Sequence, residues 1–236
     1  MNGIIFYSNT NQSRALAAHL SGLTGWKTYD LHCSSQAKAA MESVFDRAVL
    51  VFPVHCQNLP CTIAEFLKTL HAERLAVVAT YGKMCHGNVL YEVQKGYKAG
   101  KIIAAAYVPM QHAYLPGQTK PDYDALQSLA QKLTAPDPIP VQVPRSYKNP
   151  LADLFPAARS RMGVSMYLDA SKCKSCKSCE NNCLHGGIES GKFTNRCIRC
   201  LKCAADCPVG AISHRNRLPM RLYLKKRPTE RVEVYL

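Results

Sequence analysis

No stretch of this chain is apolar for long enough to cross a bilayer. Its longest runs, such as LAVVA and IIAAAYV, fall far short of the roughly 20 residues a membrane helix needs. The opening residues, MNGIIFYSNT, lack a basic segment followed by a long apolar one, so no secretory leader is expected. Without an export signal the expected compartment is the cytoplasm. There, cysteines serve as metal ligands or free thiols more often than as disulfides. Gly-x-Gly-x-x-Gly and the Walker sequence are both missing, which disfavours dinucleotides and nucleoside triphosphates. Low-complexity tracts are absent too, and an apolar fraction of 47% is ordinary for a folded chain. Acidic residues are few, 16 against 30 Lys and Arg, giving a formal charge of +14.

What the chain does have is cysteine: 12 residues in all, eight of them in the run SKCKSCKSCENNC…NRCIRCLKCAADCP at 171–208. The spacing Cys-x-x-Cys-x-x-Cys-x-x-x-Cys occurs twice. Three thiolates two residues apart can reach three corners of one cubane. The fourth corner is filled from elsewhere, and in two-cluster ferredoxins the fourth cysteine of each run crosses to the other cluster. This predicts Cys173, Cys176, Cys179 and Cys207 around one [4Fe–4S] cluster, and Cys197, Cys200, Cys203 and Cys183 around a second. Pro208 follows Cys207 as such runs require, whereas Leu184 holds the equivalent place after Cys183. Structural zinc prefers two Cys-x-x-Cys pairs separated by a loop, not this repeat. The run resembles the bacterial two-cluster ferredoxin module over about 165–214, a small α+β unit that implies low-potential, one-electron transfer.

Residues 1–134 alternate between buried-strand and helical patterns. Apolar runs at 3–8, 47–54, 75–82 and 101–110 predict strands, with a weaker one at 26–31. Helical periodicity covers 14–23, 36–43, 61–70, 87–100 and 122–133, with Gly100 suited to a helix C-cap. Near-continuous apolar strands, each followed by a helix, predict an α/β, doubly wound, five-stranded parallel sheet. The four prolines in 135–148 predict an extended linker, 149–163 a short helix interrupted near Pro156, and 215–236 a basic tail.

The loop YSNTNQS (7–13) joins the first strand to the first helix, where hydroxyl and amide groups with backbone N–H groups suit a phosphate monoester. In an open parallel sheet, ligands lie beyond the carboxyl ends of the strands. The loops 53–60 and 80–88 meet there, and each offers a flat ring, His55 and Tyr81. A planar ring held between two loops, with its phosphate on a third, describes FMN. These residues resemble the flavodoxins, whose phosphate loop reads Ser/Thr-x-Thr-Gly-x-Ser/Thr. With the cysteine run attached, residues 1–214 are similar to flavodoxin–ferredoxin fusion proteins of anaerobic bacteria and archaea. The resemblance implies that Ser8, Asn9, Thr10, Asn11, Gln12 and Ser13 hold the phosphate, with Asn11 in the glycine's place. It implies that Pro53, Val54, His55, Cys56, Gln57 and Asn58 flank one side of the ring, and Thr80, Tyr81, Gly82 and Lys83 the other. The loop 53–60 has no glycine, leaving Asn58 as the easiest residue to take an unusual backbone there, and favours two-electron flavin chemistry.

Among the remaining candidates, His55 is the best proton donor, ahead of Cys56, Cys85 and His86. Cys33 and Cys61 are expected to be small packing residues. Tyr114 is a candidate for covering the flavin. Bound clusters and a flavin phosphate would lower the net charge to roughly +8, still basic. Arg215, Arg217, Arg221, Lys225, Lys226, Arg227 and Arg231 in the tail read as a solvated surface run or as a docking site for an acidic redox partner such as a free ferredoxin. Nucleic acid is disfavoured, because Tyr223 is the one aromatic interleaved among these charges. The expected function is an FMN-dependent reductase of a small molecule, fed through the clusters. A non-catalytic carrier linking two redox proteins is the alternative.

Overall fold

The computed structural model describes residues 1–115, 122–154, 156–226 and 228–236, with 156 and 157 described by backbone alone. Arg227 of the basic stretch lies outside the described residues. Five strands and five helices alternate as the apolar runs predict: β1 Asn2–Phe6, α1 Gln12–Thr24, β2 Lys27–Asp30, α2 Ser34–Met41, β3 Val44–Pro53, α3 Cys61–Thr69, β4 His71–Tyr81, α4 Val89–Gly96, β5 Lys101–Pro109 and α5 Gln127–Thr134. The five strands are parallel in the order β5-β4-β3-β1-β2, so the winding reverses between β1 and β3. Alternate side chains explain why both faces are covered. Ile5, Leu50, Phe52, Val77 and Tyr107 share one core with Ile63 and Phe66 of α3 and Val93 of α4. Ile4, Val49, Val51, Val78 and Ala106 share the other with Leu16 and Leu20 of α1 and Leu129 and Leu133 of α5. Strands buried on both faces need the unbroken apolar runs seen in the sequence.

Gly100 is not a helix cap. Helix α4 ends at Gly96, with Tyr97 capping it in extended backbone. A Cβ at Gly100 would lie 2.0 Å from the Ala72 carbonyl oxygen and 2.5 Å from that of Glu73, so this glycine lets the start of β5 approach β4. Nor does Pro156 interrupt a helix. It begins α6, Pro156–Gly163, where a missing N–H costs nothing. The stretch 135–148 holds neither helix nor strand, as expected, but it is pinned. The Val141 N–H donates to Ile102 O at 2.9 Å, the Gln94 side chain bonds Val141 O and Val143 N, and both valines are buried.

The C-terminal region is built on β6 Val164–Leu168 paired antiparallel with β9 Ile212–Asn216. Between them lie α7 Ser178–Asn181, the hairpin β7 Ile188–Glu189 and β8 Lys192–Phe193, and α8 Lys202–Ala205. After α9 Leu218–Tyr223 the chain does not trail away as a solvated tail. It returns to the first sheet as β10 Glu233–Tyr235, antiparallel to β5, making six strands where five were expected. The return is fixed by Thr229 N–H to Lys83 O at 2.6 Å, by Lys83 with Glu230 at 3.0 Å and by burial of Val232. Arg215, Arg217, Arg221, Lys225, Lys226 and Arg231 stay exposed along this segment.

Candidate functional site

The two cysteine runs repeat in backbone as well as in sequence. Ser175 and Lys177 adopt left-handed backbone (φ 53 and 57), and so do their counterparts Arg199 and Leu201 (φ 59 and 63). Lys177 and Leu201 each cap a short helix, α7 and α8. Gly187 N–H donates to Cys183 Sγ and Ala211 N–H to Cys207 Sγ, both at 3.2 Å, and Ser175 N–H donates to Cys173 Sγ at 3.4 Å. Left-handed backbone costs a non-glycine residue about 1 kcal/mol or more. Four such residues make sense where the turned N–H groups face anionic sulfur.

Cys183, Cys197, Cys200 and Cys203 line one cavity together with Cys179 of the other expected set. Burial, helped by the neighbouring cysteines, pushes the Cys200 and Cys203 thiols up to about 11 and 12. Cys176 lies within electrostatic reach of Cys207, and Cys179 of Cys173. Backbone and side-chain bonds from Ser178 hold Cys176 below the ordinary thiol range, and the backbone N–H of Val209 leads in doing so for Cys207. Soft sulfur donors that accept backbone N–H groups are the ligand type an iron–sulfur cubane takes.

The cavity of Cys183, Cys197, Cys200 and Cys203 is completed by Tyr7, Asn9 and His32 from the other end of the chain. The tip of β1 therefore touches the cysteine module. The Tyr7 hydroxyl lies 3.2 Å from His185 Nε2, and Cys61 Sγ lies 3.9 Å from its Nδ1. The Tyr7 ring stacks on His32 at 4.7 Å and meets His55 edge-on at 6.2 Å. Burial first, then the Cys200 sulfur, holds the Tyr7 hydroxyl protonated well above its usual range. Desolvation keeps His32 down to about 4, and desolvation with His185 keeps His55 down to about 3. None of these contacts is visible as a motif. For His185 the one signal is its place two residues after Cys183, where Leu184 stands instead of proline.

In the loop 8–13, Ser8, Asn9 and Ser13 are buried. Asn11 adopts left-handed backbone (φ 63) at the start of α1, as the resemblance requires of the glycine's replacement. Ser13 Oγ bonds Thr80 Oγ1 at 2.9 Å, Gln12 donates to Gln111 O at 2.9 Å, and the Asn9 amide donates to His55 Nε2 at 2.8 Å. Thr10 is half-buried. Ser8 Oγ and Asn9 Oδ1 are buried without a hydrogen-bond partner. The Ser8 hydroxyl is a buried donor without an acceptor, whereas Asn9 Oδ1 is itself an acceptor and the side chains of Gln12 and Ser13 already bond within the protein.

The flanking loops differ from expectation in detail. Pro53 ends β3 and Val54 packs against the core. His55 and Asn58 exchange backbone hydrogen bonds at 3.0 and 2.8 Å around Cys56 and Gln57. The left-handed residues are Cys56 (φ 50) and Gln57 (φ 68), not Asn58. This is a two-residue turn of the kind usually made by Asn-Gly. Asn58 instead donates its side-chain amide to Ala152 O at 2.7 Å. Burial, with His185, holds the His55 ring neutral where the Asn9 amide lies against its Nε2.

Tyr81 is buried edge-on against His86 and Tyr107. His86 stacks on Tyr107 and approaches Glu233, so neither ring lies open for stacking. Gly82 has the His112 ring where a Cβ would stand, and Lys83 is left-handed (φ 60). Tyr114 binds the module rather than the loops, donating to Arg199 O at 2.7 Å. Cys33 is half-buried and Cys61 exposed, so Cys61 is not a packing residue. Beside Gly82 and Lys83 opens a cavity of about 270 Å³, lined also by Gln111, His112, Leu224 and Glu230.

Comparison with known proteins finds one family. Residues 192–213 match the 4Fe-4S binding domain family, a stretch that contains Cys197, Cys200, Cys203 and Cys207. This ferredoxin-type domain gives the chain at least one [4Fe–4S] cluster and an electron-transfer role. No curated protein matches the chain. A solved structure of a Trp repressor binding protein from Bacillus subtilis aligns with a TM-score of 0.38 and 11% identity, over 58% of this chain and 99% of that one. No helix among the described residues is long and apolar enough to cross a membrane.

Proposed function

We propose that the chain is an iron–sulfur flavoprotein in which two [4Fe–4S] clusters connect a protein electron carrier to FMN, working as an FMN-dependent reductase of a small molecule. One observation carries the reading: the cavity of Cys183, Cys197, Cys200 and Cys203 is shared with Tyr7, Asn9 and His32, beside the phosphate-type loop. On this reading a cluster site and an anion loop meet in one place. The strand order, with its reversal between β1 and β3, supports a flavodoxin-like reading of residues 1–134, because ligands sit at that reversal. Residues 165–214 are then the two-cluster module, and 135–164 the connection to it.

Bound flavin stores two electrons while each cluster carries one, so the pair converts between one- and two-electron chemistry. Ser8, Asn9, Thr10, Asn11, Gln12 and Ser13 hold the phosphate, with the Ser8 hydroxyl as a ready donor. Residues Pro53–Asn58 and Thr80–Lys83 border the ring. Tyr7 and His185 hold the module against this loop and exclude water from the junction. The 270 Å³ cavity beside Gly82 has room for a small acceptor.

The test is anaerobic purification followed by iron, sulfide and flavin analysis. About eight iron and one FMN per chain are expected. Zinc in place of iron ends the proposal, and clusters without flavin reduce it to the ferredoxin-type half.

A further inference from the structure

The two cysteine repeats share a backbone but not a surface. In the second repeat, Ile198 and Leu201 line the cavity closed by Tyr7, Asn9 and His32. Leu201 is only 6% exposed. At the same places in the first repeat stand Lys174 and Lys177, both exposed, with Cys176 exposed between them. A pseudo-twofold module presents two equivalent faces. Here one sets Ile198 and Leu201 against the chain's own β1 tip, with Arg199 and with Lys202 already paired to Asp206 beside them, and the other carries open lysines at the matching places. Of the nearby carboxylates, one offsets part of this charge. Asp169 pairs with Lys172 at 3.6 Å, and Glu180 turns inward to accept from Gly191 N–H at 2.8 Å. Among the described residues, Lys174 and Lys177 make no ion pair.

We propose that Lys172, Lys174 and Lys177 form the docking surface for an acidic one-electron carrier protein, which delivers its electron at the Cys173, Cys176, Cys179 and Cys207 end of the module. The inference rests on the two-cluster reading above. It moves the partner surface from the basic C-terminal segment to the first cysteine repeat. The lysines are needed because the thiolate-bound cluster is itself anionic and would repel an acidic partner that approached without them. Each encounter transfers one electron and no proton: the carrier is oxidised by one, the chain is reduced by one, and two encounters supply a two-electron acceptor. The opposite end, enclosed by Tyr7, Asn9 and His32, is closed to an outside protein and faces the phosphate loop.

The probe is a purified acidic two-cluster ferredoxin, used with the anaerobic holoprotein. Calorimetry reads the affinity of the oxidised probe, and stopped-flow absorbance reads the rate with the reduced probe. Charge reversal in K172E/K174E/K177E is expected to lower both about ten-fold or more at low salt and to flatten their salt dependence. K172R/K174R/K177R should keep both. Reduction by photoreduced deazaflavin, a small reductant that needs no docking, should be unchanged in either variant. R215E/R221E/K225E, on α9 and its flanks, should bind the probe as the parent does. Unchanged binding in the lysine reversal, or loss of binding confined to the R215E/R221E/K225E variant, overturns the proposal. Iron analysis showing about four iron per chain would instead overturn the two-cluster reading beneath it.

Discussion

Leu201→Lys and Lys177→Leu exchange two residues that occupy the same place in the two repeats. Both are left-handed, at φ 63 and φ 57, so the backbone cost of that conformation cancels between them. What differs is the neighbourhood. Leu201, 6% exposed against the β1 tip, loses about 1.5–3 kcal/mol of burial when its side chain is replaced. The incoming ammonium enters a cavity already lined by Arg199 and Lys202, where Asp206 is taken by Lys202 at 2.8 Å, and a buried charge without a partner of its own costs several kcal/mol more. Escape of the lysine tip toward solvent recovers part of this, leaving an expected loss of about 3–5 kcal/mol. Lys177 is exposed, and its replacement by leucine should stay within about 0.5 kcal/mol. At roughly 2–4 °C per kcal/mol for a chain of this size, Leu201→Lys should lower the first anaerobic melting transition by about 6–20 °C. Lys177→Leu should barely move it. Equal melting temperatures, or the reverse order, would refute the idea that the second repeat leans on the tip of β1.

Gly100→Ala should cost about 3 kcal/mol or more, because its Cβ meets fixed backbone oxygens of β4, whereas Gly96→Ala, with open space around it, should be neutral or stabilising. Melting temperatures of the two variants decide the matter. Ser8→Ala removes a buried hydroxyl that has no partner, so it should leave stability unchanged or slightly raised while weakening FMN binding about ten-fold, read by flavin fluorescence titration. Desolvation holds the His112 imidazole down to about 4, while the unfolded chain protonates near 6.5. Unfolding therefore takes up a proton between those values, and stability should fall as pH drops from about 6.5 to 4 and be level above that window. Denaturant midpoints at several pH values should show a shallower fall for His112→Gln.

The parallel sheet was legible because strands buried on both faces must be apolar without interruption, as at 47–54 and 101–110. The sixth strand was missed because the charges at 215–231 dominate the segment. Its own signal is the alternation in RVEVYL, where Val232 and Val234 pack on one core and Tyr235 on the other. A short period-two run against a basic background is weak evidence of pairing with a strand more than 100 residues away. The cysteine spacing announced the chemistry because cubane geometry ties it to sequence. The left-handed turn at Asn11 was also readable, since asparagine tolerates that backbone. At Cys56 and Gln57 nothing in the residue types suggests it. The junction of Tyr7, His32, His55 and His185 was invisible, because contacts between residues as far apart as 7 and 185 leave no local period.

Because β10 rejoins the sheet that β1 to β5 begin, the cysteine module is an insertion within the first fold and not an appendage to it. A unit hung on a single linker must diffuse back to its partner face before each electron hop. This one is held at both ends, by the pinned stretch at 141–143 on one side and by Thr229, Glu230 and β10 on the other, which limits how far it can leave the β1 tip. On the proposed reading, transfer across that junction would be paced by tunnelling and driving force instead of by domain search. Freeing the module would require cutting the chain twice.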